Sequence, residues 1–362
     1  MKRILALALA VLLALGLTAC QDEKNISGAL TEVRTDENGA LTALILERGG
    51  KRTGVLLAEG TSVWPRGEGS WTSEEAMEAF REDLQPGNEL SAWCYSRKEK
   101  LETAEGESIP AYWGQNISIT AILEREALTL RDGTPVDRLD YDSWGSYTYR
   151  LTDGTELLRV EEPRGPEDVI VMDSENFEDL SETAQGKVRA YYEAQGLLYD
   201  EQEELENAYA AYRELGEDFQ AGHIRQEVTP TASSRRVMYF ETGVTLPNVY
   251  GTQTYRGFSL HDAFDRETGE KLDPWALFAV PEEEVRRRLP ELPGWIDNPV
   301  LRAEMAEALE PEWIGFGRDG LFIEFPAGSL PSEELAYHVG IDWQDVPEGF
   351  FQPWAVPDGR SE

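Results

Sequence analysis

Phe264-Asp-Arg-Glu-Thr-Gly-Glu-Lys-Leu-Asp-Pro-Trp-Ala-Leu-Phe278 is the stretch that says most about the fold. Thr268-Gly269 reads as a turn closing a strand, because glycine enters the left-handed region without steric cost. Asp273-Pro274 reads as the entry to a short helix, with a capping carboxylate followed by proline at the first helical position. Strands are expected upstream at Arg236 to Leu246 and Gln253 to Leu260, where β-branched and aromatic residues are frequent. Downstream, Asp319-Gly320-Leu321 followed by Ile323 and Phe325 alternates as a further strand, and Tyr337 to Val346 closes the region.

These residues carry a resemblance. A strand ending in an Asp-x-x-Thr-Gly turn and leading into Leu-x-x-x-x-Leu-Phe is matched by Asp265, Thr268, Gly269, Leu272, Leu277 and Phe278. A later Asp-Gly-Leu-x-Ile-x-Phe strand is matched by Asp319, Gly320, Leu321, Ile323 and Phe325. The region 236–345 thereby resembles the extracytoplasmic domain shared by the lysozyme-sensing anti-sigma factor and a peptidoglycan deacetylase. Turn and core residues carry the match, so it implies a fold, α+β with an antiparallel sheet, more than an activity. Neither a sigma-binding segment with a spanning helix nor a deacetylase domain is readable, and neither of those activities is expected.

Working outward, Ser146 to Leu151 and Glu156 to Val160 flank Asp153-Gly154 as a hairpin. Helices are expected at Phe177 to Gln195 and Asp200 to Leu215, with their tyrosines on core-facing stripes. Asp137 to Gly145 is charged and without pattern, which places a boundary there and an α+β domain over 141–362. Ahead of it, Ala29 to Arg34, Ala40 to Glu47 and Arg52 to Ala58 alternate as a meander. A capping box of Thr72 and Glu75 opens a helix at Ser73 to Leu84. Strands at Leu90 to Ser96 and Asn116 to Leu123 follow. Five strands with one helix have the order of a small β-barrel of the oligonucleotide/oligosaccharide-binding (OB) type, expected over 28–140. Leu90, Ala92 and Cys94 share one strand face, so Cys94 is expected to be a buried, inert thiol.

The first residues give an address. Lys2 and Arg3 precede an uncharged apolar run from Ile4 to Leu17, too short for the roughly 20 residues of a membrane span and suited to a signal peptide over 1–19. Leu17-Thr18-Ala19-Cys20 resembles the lipobox of bacterial lipoproteins, which implies lipid attachment at Cys20 and a tether over 20–27. The expected location is the outer face of the bacterial plasma membrane, with membrane lipid as a partner through the acylated cysteine.

Composition narrows the class. Ten Trp, fourteen Tyr and twelve Phe supply large apolar areas for a core. Acids outnumber bases 69 to 33, for a net charge of −36, which repels nucleic acid and points to cationic partners. Three histidines, His223, His261 and His338, never stand at zinc-ligand spacing. Asp140 to Gly145 begins like a calcium loop, but Trp144 and Leu151 occupy ligand positions. No nucleophile elbow, phosphate loop or dinucleotide fingerprint occurs, and no cofactor is expected.

Tyr250, Tyr255, Phe258 and His261 lie in and after a Pro/Gly-containing connection; they read first as caps of the second domain's core and, if exposed, as the candidate ligand surface. Phe350, Phe351 and Trp354 lie in a Pro/Gly-rich tail and are better explained as a core cap. The expected function is that of a non-catalytic binding lipoprotein of the cell envelope, with a cationic protein such as lysozyme or a cell-wall component as ligand. The alternatives are a wall-polymer hydrolase with a carboxylate pair in a groove between the domains, and a structural accessory lipoprotein.

Overall fold

The computed structural model describes residues 23–58, 60–64, 74–172, 175–247, 256–293 and 296–357. The expected signal peptide, Cys20, Tyr250 and Tyr255 lie outside the described residues. The chain is α+β and mostly strand, and it divides into two compact units. The first takes the described residues up to Glu126 together with Leu139–Gly145; the second takes Ala127–Arg138 and the chain from Ser146 onward. The expected division at 140/141 is simpler than this, because the chain passes between the units three times.

In the first unit β1 (Glu23–Thr35), β2 (Leu41–Arg48) and β3 (Lys51–Leu56) form an antiparallel meander. After β4 (Ser62–Trp64) and helix α1 (Glu74–Glu82) come β5 (Glu89–Glu102) and β6 (Ser108–Ala121). β5 pairs antiparallel with both β1 and β6, and β6 runs parallel to β3, closing a five-stranded barrel with β4 appended along β6. Closure leaves the barrel strands without a free edge. The seam requires a small residue at Gly54, where a Cβ would lie 2.8 Å from the Leu101 side chain and 2.9 Å from that of Ala111. Inward-facing Leu30, Leu44, Leu46, Val55, Leu90, Ala92, Cys94, Ile117 and Ile119 fill the barrel, and Phe80 of α1 packs with them.

Two expectations change here. Residues 23–27, read as part of a tether, belong to β1, where Asn25 and Ser27 alternate with buried Ile26 and pair with β5. Residues 137–141, read as patternless boundary, complete β8 (Pro135–Tyr141), which follows β7 (Leu123–Thr129). Both strands are polar on one side and short of apolar residues, so alternation alone does not expose them.

The second unit is built on a seven-stranded sheet. β9 (Ser146–Leu151), β10 (Glu156–Glu161), β11 (Gly222–Ser233), β12 (Val237–Thr245) and β13 (Phe258–Asp265) follow one another across it, with β8 and β7 beyond β9. β9/β10, β11/β12 and β12/β13 are antiparallel, but β10 and β11 are parallel, so the sheet is mixed rather than antiparallel throughout. A parallel step needs a long crossover, and helices α2 (Glu182–Gln195) and α3 (Glu201–Leu215) supply it. Ser181 caps α2, accepting from the Ala184 N–H at 3.1 Å, and Asp200 caps α3, accepting from Glu203 at 2.9 Å.

Period-two alternation gives each sheet face its own core. Met238, Phe240 and Phe264 pack with Val188 and Tyr192 of α2. On the opposite face Val237, Tyr239 and Ala263 join the core of a smaller three-stranded sheet, β14 (Ile314–Phe316), β15 (Gly320–Phe325) and β16 (Tyr337–Asp342), with helices α4 (Glu282–Arg288) and α5 (Pro299–Ala308). The Tyr239 and Phe316 rings stack with centroids 4.4 Å apart. The turn quoted first is a locked feature. Asp265 Oδ1 accepts from the backbone N–H groups of Glu267 and Thr268 at 3.1 and 3.0 Å. Gly269, at φ 68°, lies so close to α2 that a Cβ would sit 2.5 Å from the Ala184 Cα. Asp273 caps the next turn, Pro274–Leu277, which is a single 3-10 turn.

Among the described residues no helix is long and apolar enough to cross a membrane.

Candidate functional site

The outer wall of the barrel carries a concavity of ligand size bordered by aromatic rings. Along β5 the residues alternate, with Leu90, Ala92 and Cys94 fully buried and Trp93 and Tyr95 pointing outward at 49% and 40% exposure. Burial pushes the Cys94 thiol up to about 11, so it stays protonated and unreactive inside the barrel. The regular ladder with β6 then breaks. Cys94 pairs with Gly114 and Lys98 with Tyr112, so Tyr95, Ser96 and Arg97 together stand opposite Trp113 alone. Such a bulge re-aims side chains and bends the strand. Here it opens a groove of about 370 Å³ lined by Ala58, Tyr95, Ser96, Arg97, Trp113 and Gly114.

One wall of the groove is pinned from the β3–β4 connection. The Thr61 hydroxyl, nearly fully buried, donates to the Gly114 carbonyl at 3.1 Å and accepts from the Ala58 N–H at 3.0 Å. Beside the groove the outer wall is set with uncharged polar groups. Trp93 stands between Asn25 of β1 and Asn116 of β6 in register, and Ser91 stands between Ser27 and Ser118. Ser91 donates to Asn25 Oδ1 at 3.1 Å, and Ser118 donates to the Ser91 carbonyl at 3.3 Å. The charge of Arg97 is offset by Glu99 at 3.1 Å.

Of the residues nominated from sequence as a ligand surface in the second unit, Phe258 and His261 are described, and these two do not share a face. Phe258 and His261 are three positions apart on β13, which places them on opposite faces of the sheet. His261 is 5% exposed, meets the Phe322 ring edge-on with centroids 4.8 Å apart, and has no hydrogen-bond partner at either ring nitrogen among the described residues. Burial depresses its pKa to about 3, so the ring is neutral at ordinary pH. Phe350 and Phe351 are buried against Phe278, with centroids 5.6 and 4.6 Å from it, and serve as the core cap expected of them.

The other histidines are apart from His261. His223 meets Glu161 at 2.9 Å and His338 meets Glu324 at 3.3 Å. The carboxyl of Glu241 is raised, first by burial and further by Glu324 and Glu227, while the Ser259 hydroxyl donates to it at 2.8 Å and opposes the rise. Glu241 lines neither of two open concavities of this unit. One, of about 380 Å³, lies between the Pro163–Asp168 segment and the end of α2; the other, of about 500 Å³, lies along β15 and β16.

The aromatic groove escaped the sequence reading even though half of its signal was visible. The alternation that places Leu90, Ala92 and Cys94 inward also places Trp93 and Tyr95 outward. The bulge that brings Tyr95 into a groove with Trp113 depends on cross-strand register, which no local pattern encodes.

No family model matches the chain, and no curated protein matches it. Among solved structures it is similar to a member of the DUF3298 family from Bacteroides fragilis NCTC 9343, at 10% identity over 64% of this chain and 92% of that one, with a TM-score of 0.31. It is also similar to a DUF3298 family protein from Pseudomonas aeruginosa PAO1, at 13% identity over 66% of this chain and 95% of that one, with a TM-score of 0.27.

Proposed function

We propose that the chain is a lipid-anchored, extracytoplasmic binding lipoprotein of the bacterial cell envelope, non-catalytic, whose ligand sits in the groove at the β5 bulge. The carrying observation is that groove, where Tyr95 and Trp113 line a concavity of about 370 Å³ on an otherwise strongly acidic chain. Concave, largely apolar sites with a few convergent polar groups are where small ligands and polymer segments bind. The lipobox-like Leu17-Thr18-Ala19-Cys20 supports the anchor and the outer-face location. Strand order, the position of α1 and the parallel β3–β6 seam support an OB-type barrel. The Asp265 and Asp319 motifs support a second unit of the type found in the lysozyme-sensing anti-sigma factor. Lysozyme itself is the weaker ligand choice, since Phe258 and His261 lie on opposite sheet faces and its support is the motif resemblance and the net charge rather than a built site.

The test is retention of the full chain on purified peptidoglycan and, in parallel, on immobilised lysozyme. Retention on peptidoglycan that Trp113→Ala abolishes supports the groove. Retention on lysozyme alone, unaffected by Trp113→Ala and lost at high salt, moves the site to the second unit. No retention on either, in a chain whose Cys20 is acylated, sinks the cell-wall and lysozyme readings together.

A further inference from the structure

We infer that the groove at the β5 bulge takes an uncharged chain of linked pyranose sugars, an assignment that rests on the groove being the binding site. A pyranose ring has an apolar C–H face and a rim of hydroxyls, so a site for it needs flat aromatic surface with hydrogen-bonding groups beside it. Tyr95 and Trp113 supply the surface inside the groove, and Trp93 extends it two residues back along β5. Asn25, Asn116, Ser91 and Ser118 stand across three neighbouring strands beside Trp93, and amides and hydroxyls both donate and accept.

Charge selects among aromatic-seeking ligands. None of the six described residues lining the groove is acidic, in a chain with 69 acids, so among the described lining a cationic ligand finds no counter-charge. The one cation among the described lining residues, Arg97, is already matched by Glu99 at 3.1 Å, and a polyanion meets the repulsion of a chain at −36. A neutral ligand is what remains. Proline-rich peptides also seek aromatic grooves, but their rings carry no hydroxyls to use the lateral row of amides and hydroxyls.

The experiment is a titration of the full chain in detergent with hexasaccharides of β-1,4-linked glucose, β-1,4-linked N-acetylglucosamine and α-1,4-linked glucose, followed by tryptophan fluorescence. A polyproline peptide serves as the competing class. Saturable binding of at least one sugar is expected, weakened roughly ten-fold or more by Trp93→Ala and by Trp113→Ala and retained in Tyr95→Phe, since each stacked ring is a principal contact. Because the ligand is uncharged, raising the salt is expected to change its affinity by less than about two-fold. Circular dichroism checks that the variants stay folded, and Trp93→Ala, altering a half-exposed residue, keeps the test decisive if Trp113→Ala does not fold. Binding of the peptide and no sugar overturns the sugar assignment while leaving the groove standing. No binding of either, or sugar binding that all three variants leave unchanged, overturns both.

Discussion

The two units spend their aromatic residues differently. Among the described residues the barrel interior is aliphatic apart from Cys94, Tyr112 and Phe80 of α1, and Trp93 and Tyr95 face outward. In the second unit Tyr239, Phe240, Phe264, Phe316, Phe325, Phe350 and Phe351 are all buried. A small closed barrel has a narrow interior that short aliphatic side chains fill, so large rings on its strands are left for the outside. A sheet covered on both faces must bridge wide layers, and rings do that. An aromatic residue is therefore a weak pointer to a binding site until its layer is known.

Phe264→Ala is the largest test of that contrast. Its ring lies within 5.3 to 5.8 Å, centroid to centroid, of Tyr191, Phe240 and Tyr192. Removing it is expected to cost about 3–5 kcal/mol of unfolding free energy, the range for deleting a fully buried ring. Urea unfolding of the variant measures the loss. A change below about 1 kcal/mol would mean that the layer between α2 and the sheet is not packed as described.

The second test uses His261, a candidate ligand residue that lies in the core. The unfolded imidazole takes up a proton near 6.5, whereas the buried ring does so only near about 3. Between those values the unfolded state binds more protons, so stability present above 6.5 is lost as the pH falls. The loss should reach about 2 kcal/mol by roughly pH 5. Glu241 acts in the opposite sense, because burial raises its carboxyl above 4.5 and its contribution fades as the pH rises through that raised value. Comparing unfolding free energies of the parent and His261→Leu across this range isolates the histidine. The difference between the two should widen steadily below 6.5, and parallel curves would show that the ring is not held neutral.

What could be read from the sequence follows from how local each cause is. The Asp265 to Gly269 turn was legible because an aspartate caps its own turn and a glycine supplies the left-handed residue, both within five positions. The meander of β1 to β3 and the inward face of β5 were legible because alternation is local too. The barrel closure was anticipated only as an order of elements, since the Gly54–Ala111 seam joins residues far apart in the chain. The parallel step between β10 and β11 was missed because strand direction leaves no mark on composition. The burial of His261 was legible only in part for a related reason. Its neighbours in sequence are strand residues, but the Phe322 ring that encloses it comes from another sheet.

The smallest expected effect sharpens the comparison most. Trp93 and Phe264 are both large rings on strands, and a residue-type argument would expect comparable costs from removing either. Trp93 keeps nearly half its surface in water, lies on the face opposite Cys94, and has Asn25 and Asn116 as cross-strand partners rather than a core. Trp93→Ala should therefore change the unfolding free energy by no more than about 0.5 kcal/mol, as surface substitutions do. Urea unfolding alongside Phe264→Ala checks this on the same scale. If Trp93→Ala instead costs several kcal/mol, the ring is holding the barrel wall together and its exposure has no ligand to explain. If stability is untouched while sugar binding falls, the outward rings of β5 are kept for recognition, and the two units divide structure and binding between them.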